Sequence, residues 1–178
     1  MTTNQTHSLT QPELQQRAAS IRLLVLDVDG VLTDGRLYFT AEGEALKAFH
    51  VRDGAGIVQL RKAGIHIAII SGRNSMAVDT RMNELGVQYV KQGISDKQAA
   101  LRELQQHLQL DECSIACVGD DTPDIPMLNM AHLAVAVADA HPAVKAAAHY
   151  ITQINGGLGA VREVCDLILQ ARGAAQGH

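Results

Sequence analysis

The chain has 178 residues, 47% hydrophobic and 19% charged, and a formal net charge of −4; these values describe one globular domain long enough to bury a sizeable core. An acidic balance with no basic run and no stacking set of aromatics gives no electrostatic reason for a nucleic-acid partner, although a local pocket can still attract a small anion against the global sign. The polar start MTTNQTHSLTQPELQQRAAS lacks the order of a secretory signal and no apolar run approaches 18 residues, so the expected location is the cytoplasm, with no membrane partner.

In chain order, residues 1–20 read as a polar N-terminal tail running into a short helix, and a strand at 21–26 opens the domain. The next segment, GRLYFTAEGEALKAFHVRDG at 35–54, has two short runs around the turn signal AEGE and predicts a β-hairpin projecting as a flap over about 36–51. Strands are then expected at 65–70, 87–90, 114–118 and 133–137. They alternate with amphipathic helices near 53–63, 75–85, 96–109, 123–130, 142–148 and 159–171, and residues 173–178 form a C-terminal tail. Arg52 and Asp53 are expected to join the hairpin to the helix that follows, with Asp53 as its N-cap, the alternative being that both line the site. This alternation predicts an α/β fold, a Rossmann-like parallel sheet with helices on both faces, as a single domain over 21–172. Cys113, Cys117 and Cys165 have no CxxC spacing and read as buried thiols, with no disulfide framework or zinc site. The histidines show no HxH or HExxH spacing and read as structural or surface residues, His50 in the hairpin being the one to watch.

The polar residues that follow each apolar run carry the functional signal, because ligands of open parallel sheets bind outside the carboxyl ends of the strands. VLDVDGVLTDG at 25–35 ends a buried run in two carboxylates one residue apart, which need hydrogen bonds or a cation to offset their burial. SGRN (71–74), SDKQ (95–98) and GDDTPD (119–124) follow later strands and face the same crevice. Asp27, Asp29 and Asp120 supply hard oxygen ligands suited to Mg²⁺. Ser71 with the amides of Gly72 and Arg73 at a helix start, and Lys97 near another, supply donors and positive charge for an anion. Singly, a DxD is a turn feature, Lys97 a solvated first-turn residue and Ser71 a helix cap. Together they describe a phosphoryl-transfer site, in which positioning and charge neutralisation carry most of the catalysis.

LDVDG, Ser71 in IISGR, Lys97 and VGDDTPD, in that order, resemble the haloacid dehalogenase-like phosphatases. DVDGVLTDGRLYF, GEALKAFHVRDGAGI, VAVADAHP and INGGLGAVREVCDLIL are similar to the capless 3-deoxy-D-manno-octulosonate 8-phosphate (KDO 8-phosphate) phosphatases within them, over about residues 21–170. The resemblance implies that Asp27 is the nucleophile that forms an aspartyl-phosphate and that Asp29 is general acid and then general base. Mg²⁺ is then held by the carboxylates of Asp27 and Asp120 and the backbone carbonyl of Asp29. Ser71 and Lys97 bind the transferring phosphoryl oxygens, and Asp121 and Asp124 organise the outer metal shell or orient Lys97. Thr33, Gly72, Arg73 and Arg81 are implied as substrate contacts, the two arginines meeting a sugar-acid carboxylate by bidentate hydrogen bonds. Arg73 favours an octulosonate over the nonulosonate 9-phosphate branch, where a glutamate stands at this position.

Forty-three residues lie between Asp27 and Ser71 and the hairpin takes up part of them, leaving no room for a separate cap domain to exclude water. The resemblance implies a homotetramer in which hairpins at 36–51 cover neighbouring sites and the glycine-rich segment 155–163 reaches an adjacent site. Leu158 stands where relatives carry arginine. The setting implied is lipopolysaccharide precursor synthesis in a Gram-negative bacterium. A phosphoaspartate receiver domain gathers similar residues but places its phosphoacceptor alone on a later strand, and a phosphosugar mutase needs the dedicated cap that this chain lacks.

Overall fold

The computed structural model describes residues 9–176. Its elements are α1 (Gln11–Ser20), β1 (Leu23–Leu26), β2 (Tyr38–Thr40), β3 (Gly43–Leu46), α2 (Val51–Lys62), β4 (His66–Ile70), α3 (Met76–Glu84), β5 (Tyr89–Lys91), α4 (Lys97–Leu108), β6 (Ile115–Gly119), α5 (Ile125–Leu128), β7 (Leu133–Ala136), α6 (Pro142–Ala147), β8 (Tyr150–Ile151) and α7 (Ala160–Gln176). All four residues of β1 are buried, which explains the absence of period-two alternation: a strand inside a parallel sheet covered on both faces meets apolar neighbours either way.

The six-stranded sheet has the order β5-β4-β1-β6-β7-β8, every pair parallel. Val25 stands opposite Ala68 on one side and Cys117 on the other, so the chain leaves β1, β4 and β6 at one level. It moves outward from β1 through β4 to β5, then crosses back to β6. That reversal beside β1 is the topological switch at which open α/β sheets bind ligands. The predicted α/β fold is the observed one, and β2 and β3 form the expected separate antiparallel hairpin.

Several predicted elements differ from the structure. The helix expected at 123–130 is a 3₁₀ turn, Thr122–Asp124, followed by the single turn of α5. The two-residue strand β8 is too short to leave a periodic signal, yet it pairs with β7 and closes one edge. The described part of the 1–20 tail is an integral helix: Thr10 and Glu13 form a reciprocal capping box, and Leu14 and Ala18 are buried. The helix α7 continues through Gln176, into the stretch read as a tail from 173. Asp53 does not cap its own helix, since His50 does so, accepting from the Arg52 amide. Asp53 instead reaches the start of α7 and accepts from the Arg162 amide at 2.7 Å; burial raises its pKa above the usual carboxylate value, an effect that hydrogen bonding from Arg162 opposes. Cys117 and Cys165 are buried, but Cys113 is exposed. Among the described residues, no helix is long and apolar enough to cross a membrane.

Long-range hydrogen bonding joins α1 to the far side of the sheet. Arg17 donates to the His132 carbonyl at 2.7 Å and faces Nε2 of His149 at 3.2 Å, while Nδ1 of His149 accepts from the Ala134 amide. Burial, then the Arg17 charge, holds the His149 pKa below its ordinary value, so the unfolded chain binds the proton more readily and stability falls as pH drops below about 6.5. His149→Asn keeps an acceptor for the Ala134 amide and removes the titration. Melting temperatures between pH 7.5 and 5.5 are expected to fall less steeply for this variant than for the wild type, and identical slopes would contradict the assignment.

Candidate active site

Asp27 is the first residue past β1, and its amide still donates to the Val118 carbonyl, extending the sheet ladder to the edge of the crevice. The loop then turns through Gly30 at φ +87°, where an added Cβ would lie 2.0 Å from Asp120 Oδ2. Glycine is required there by both conformation and space. Thr33 is buried and its hydroxyl is consumed within this loop, accepting from the Gly30 and Gly35 amides and donating to the Val28 carbonyl. Thr33 therefore shapes the loop and does not line the crevice, contrary to its expected role as a substrate contact.

The same loop is backed by the glycine-rich segment before α7. The Gly157 amide donates to the Val31 carbonyl at 2.9 Å, and a Cβ on Gly156 would lie 1.6 Å from the Gly30 carbonyl oxygen. This segment, implied to reach an adjacent active site, packs on the loop of its own chain, with Leu158 exposed.

From β4, Ser71 is buried at the crevice floor, its amide donating to the Lys91 carbonyl and its carbonyl accepting from the Ile94 amide. Gly72 and Arg73 follow in an exposed loop. Because α3 begins only at Met76, with Ser75 at its N-cap, the Gly72 and Arg73 amides are not in a helical first turn as expected. Arg81, on α3, does not reach the crevice. It pairs with Glu84 at 3.2 Å and lies over Gly54 of α2, where a Cβ would meet its guanidinium at 2.4 Å.

Lys97 is the first residue of α4, whose N-cap Asp96 accepts from the Ala99 amide. It is buried, not solvated, with Nζ 2.6 Å from Asp124 Oδ1 and 2.9 Å from Asp27 Oδ1. The other oxygen of Asp124 accepts from the Asp120 and Asp121 amides at 3.0 and 3.3 Å. Asp124 thus ties Lys97 to the loop after β6, while exposed Asp121 caps the short turn by accepting from the Thr122 amide.

The resulting crevice, of about 340 Å³, is lined by Asp27, Asp29, Ser71, Arg73, Lys97 and Asp120 among others, a volume suited to a small-molecule ligand. Gly72, Asp121 and Asp124 also line it, as do Gly35 and Pro123, which were not singled out from the sequence. Lys47, likewise missed, comes in from the hairpin root and donates to Asp29 Oδ1; its signal was a cation on the inward side of EALKAFH.

The charge balance is unequal. Burial raises the pKa of Asp27 and the Asp124 charge raises it further, against the pull of Lys97. Asp120 is pushed up to about 8, by burial first and then by Asp27, Asp124 and Asp121, with Lys97 offsetting only part. Burial opposes the charge on Lys97, but Asp27 and Asp124 outweigh it and hold its pKa above the ordinary value. One oxygen each of Asp27, Asp120 and Asp124 lie within 4.8 Å of one another, a donor set that suits a divalent cation. Since both Asp124 oxygens are already engaged, Asp27 and Asp120 are the carboxylates left to meet it.

Residues 90–164 match the family model of haloacid dehalogenase-like hydrolases. The 3-deoxy-D-manno-octulosonate 8-phosphate phosphatase KdsC of Yersinia pestis is 52% identical over 162 residues, 91% of this chain and 87% of the relative. The chain belongs to the KdsC phosphatase family. KdsC of Escherichia coli K12 is 50% identical over 88% of this chain and 84% of its own. The crystal structure of the Yersinia pestis KdsC superposes with a TM-score of 0.89 at 51% identity, covering 93% of this chain and 89% of that one. The Moraxella catarrhalis KdsC, solved in complex with a magnesium ion, a phosphate ion and KDO, superposes at 0.90 with 41% identity, covering 94% and 97%.

A cation entering this KdsC-type crevice must displace the proton that Asp120 holds below about pH 8. Divalent-cation affinity is therefore expected to rise with pH from 6 to 8, approaching about tenfold per unit, with proton release on binding. Titration calorimetry of Mg²⁺ in buffers of different ionisation enthalpy measures both, and a pH-independent affinity without proton release would contradict the charge balance described.

Proposed function

We propose that this chain is a Mg²⁺-dependent phosphatase that hydrolyses KDO 8-phosphate to KDO and inorganic phosphate, a step of lipopolysaccharide precursor synthesis. The observation that carries the reading is the convergence of Asp27, Ser71, Lys97 and Asp120 from three adjacent strand ends and one helix start on a single crevice. The family of relatives supports the substrate.

In this reading Asp27 attacks phosphorus and forms the aspartyl-phosphate as the ester bond to the sugar oxygen breaks. Asp29 gives that oxygen its proton, then takes one from the water that attacks the aspartyl-phosphate and releases inorganic phosphate, restoring both carboxyl groups. Ser71 and Lys97 bind the phosphoryl oxygens, and Asp124 keeps Lys97 aimed at Asp27. Mg²⁺, held by Asp27, Asp120 and the Asp29 carbonyl, supplies neutralisation between the anionic nucleophile and the anionic phosphate. Arg73, exposed on the rim, is placed for the sugar-acid carboxylate.

With no cap domain among the described residues, water exclusion falls to neighbouring copies. The hairpin exposes Leu37, Tyr38, Phe39 and Leu46, more apolar surface than two short strands need for themselves, which supports a homotetramer in which hairpins cover adjacent crevices. A cytoplasmic location accords with this role.

Asp27→Asn is expected to lower kcat on KDO 8-phosphate by about a thousandfold or more with an unchanged circular dichroism spectrum; near-normal turnover would remove the nucleophile assignment. Across a panel with Mg²⁺, kcat/KM is expected to be highest for KDO 8-phosphate, and a preference for a nonulosonate 9-phosphate or a simple hexose phosphate would reassign the substrate. Phe39→Asp is expected to shift the mass measured by light scattering below that of a tetramer and to lower kcat/KM about tenfold; a monomeric wild type of full activity would refute the assembly.

A further inference from the structure

The strand β3 ends at Leu46, and side chains alternate beyond it: Leu46 and Ala48 face solvent, while Phe49 packs against the core and the Lys47 side chain is only 2% exposed. A buried ammonium requires a counter-charge, and Lys47 donates to Asp29 Oδ1. The second oxygen of Asp29 faces Nε of Arg73 at 3.9 Å. The Asp29 carboxylate, about one-fifth exposed, is thus flanked by a cation from the hairpin root and another from the loop after β4. Asp27, two residues earlier, is held by a different cation, Lys97. The two carboxylates of the doublet therefore have separate anchors on separate elements.

We propose that Lys47 is a positioning residue for proton transfer: its ammonium, bonded to one oxygen, orients the Asp29 carboxyl group so that the other can give its proton to the leaving oxygen and later take one from water, and the hairpin root thereby governs the acid–base step. This rests on the reading of Asp29 as the group that protonates the leaving group. A lysine serves because its long stem spans from the hairpin to the β1 loop while its body fills apolar space. A carboxylate without this anchor samples other rotamers, and small losses of alignment at the reacting atoms carry large costs in rate.

The test uses two substrates that differ in their need for a proton. KDO 8-phosphate releases a sugar alkoxide, which must be protonated, whereas p-nitrophenyl phosphate releases a phenolate that leaves without one. Lys47→Met is expected to lower kcat/KM for KDO 8-phosphate about tenfold to a hundredfold and for p-nitrophenyl phosphate about threefold or less. Asp29→Asn is expected to show the same contrast more strongly, and the double variant to lose no more than Asp29→Asn alone. Lys47→Arg, which keeps the cation, recovers part of the loss and serves as the reporter if Lys47→Met does not fold. Equal losses on both substrates, or a double variant whose losses multiply, would overturn the role of Lys47; the second result would mark it as a direct contact to substrate. If Asp29→Asn alone shows no contrast between the substrates, the proton-donor reading of Asp29 falls, and the role of Lys47 with it.

Discussion

The site depends on one buried ammonium shared by two carboxylates. Lys97 lies between Asp27 and Asp124, and each has a different reason to be there. Asp27 is carried to the crevice by a fully buried strand, while Asp124 has its other oxygen spent on the Asp120 and Asp121 amides. Removing either side of such an arrangement leaves a buried charge unpaired, at a cost of several kcal/mol. Lys97 therefore joins α4 to the ends of β1 and β6, and the loop that presents Asp120 is fixed through Asp124. What stays unbalanced is Asp120, crowded by neighbouring carboxylates until it holds a proton, and a divalent cation is the charge suited to take that proton's place.

Much of this was legible in the sequence because it follows from pattern. The continuous aliphatic run before Asp27 could only be a strand buried on both faces, and the polar groups after successive strands had to meet where the sheet reverses direction. Asp27, Asp29, Ser71, Lys97 and Asp120 were placed by that logic and line one crevice. Three of the errors share another origin: each concerns where a side chain points within its element. Arg81 is on the expected helix, but its guanidinium runs over Gly54, a position where only hydrogen leaves it room. Thr33 is in the expected loop, but the backbone amides of Gly30 and Gly35 use its hydroxyl. Asp53 is in the first turn of α2, yet it accepts from the Arg162 amide of α7, an element distant in sequence. Local propensity does not register such tertiary partners.

The ends of the chain were the least legible. The segment around α1 is polar because only Leu14 and Ala18 face inward, too few to raise a helical period above its polar neighbours. Its order comes from a capping box and from Arg17 reaching the turn after α5 and the residue before β8. Lys47 was missed for a related reason. A lysine in a hairpin reads as a surface charge that blunts an edge strand, and its place on the inward side of EALKAFH gains meaning once Asp29 stands beside it.

The glycine pair at 156 and 157 has a consequence for how the enzyme is made. The backbone of the loop at Gly30 and Val31 rests against a segment that comes only after β8, the last strand of the sheet, so the nascent domain can build its first strands long before its catalytic loop has a wall behind it. Contacts of such long sequence separation are entropically costly and form late. Competence for chemistry thus waits on the segment that follows β8, and a chain cut short before Asn155 would carry every acidic residue of the crevice without the surface that holds them in place.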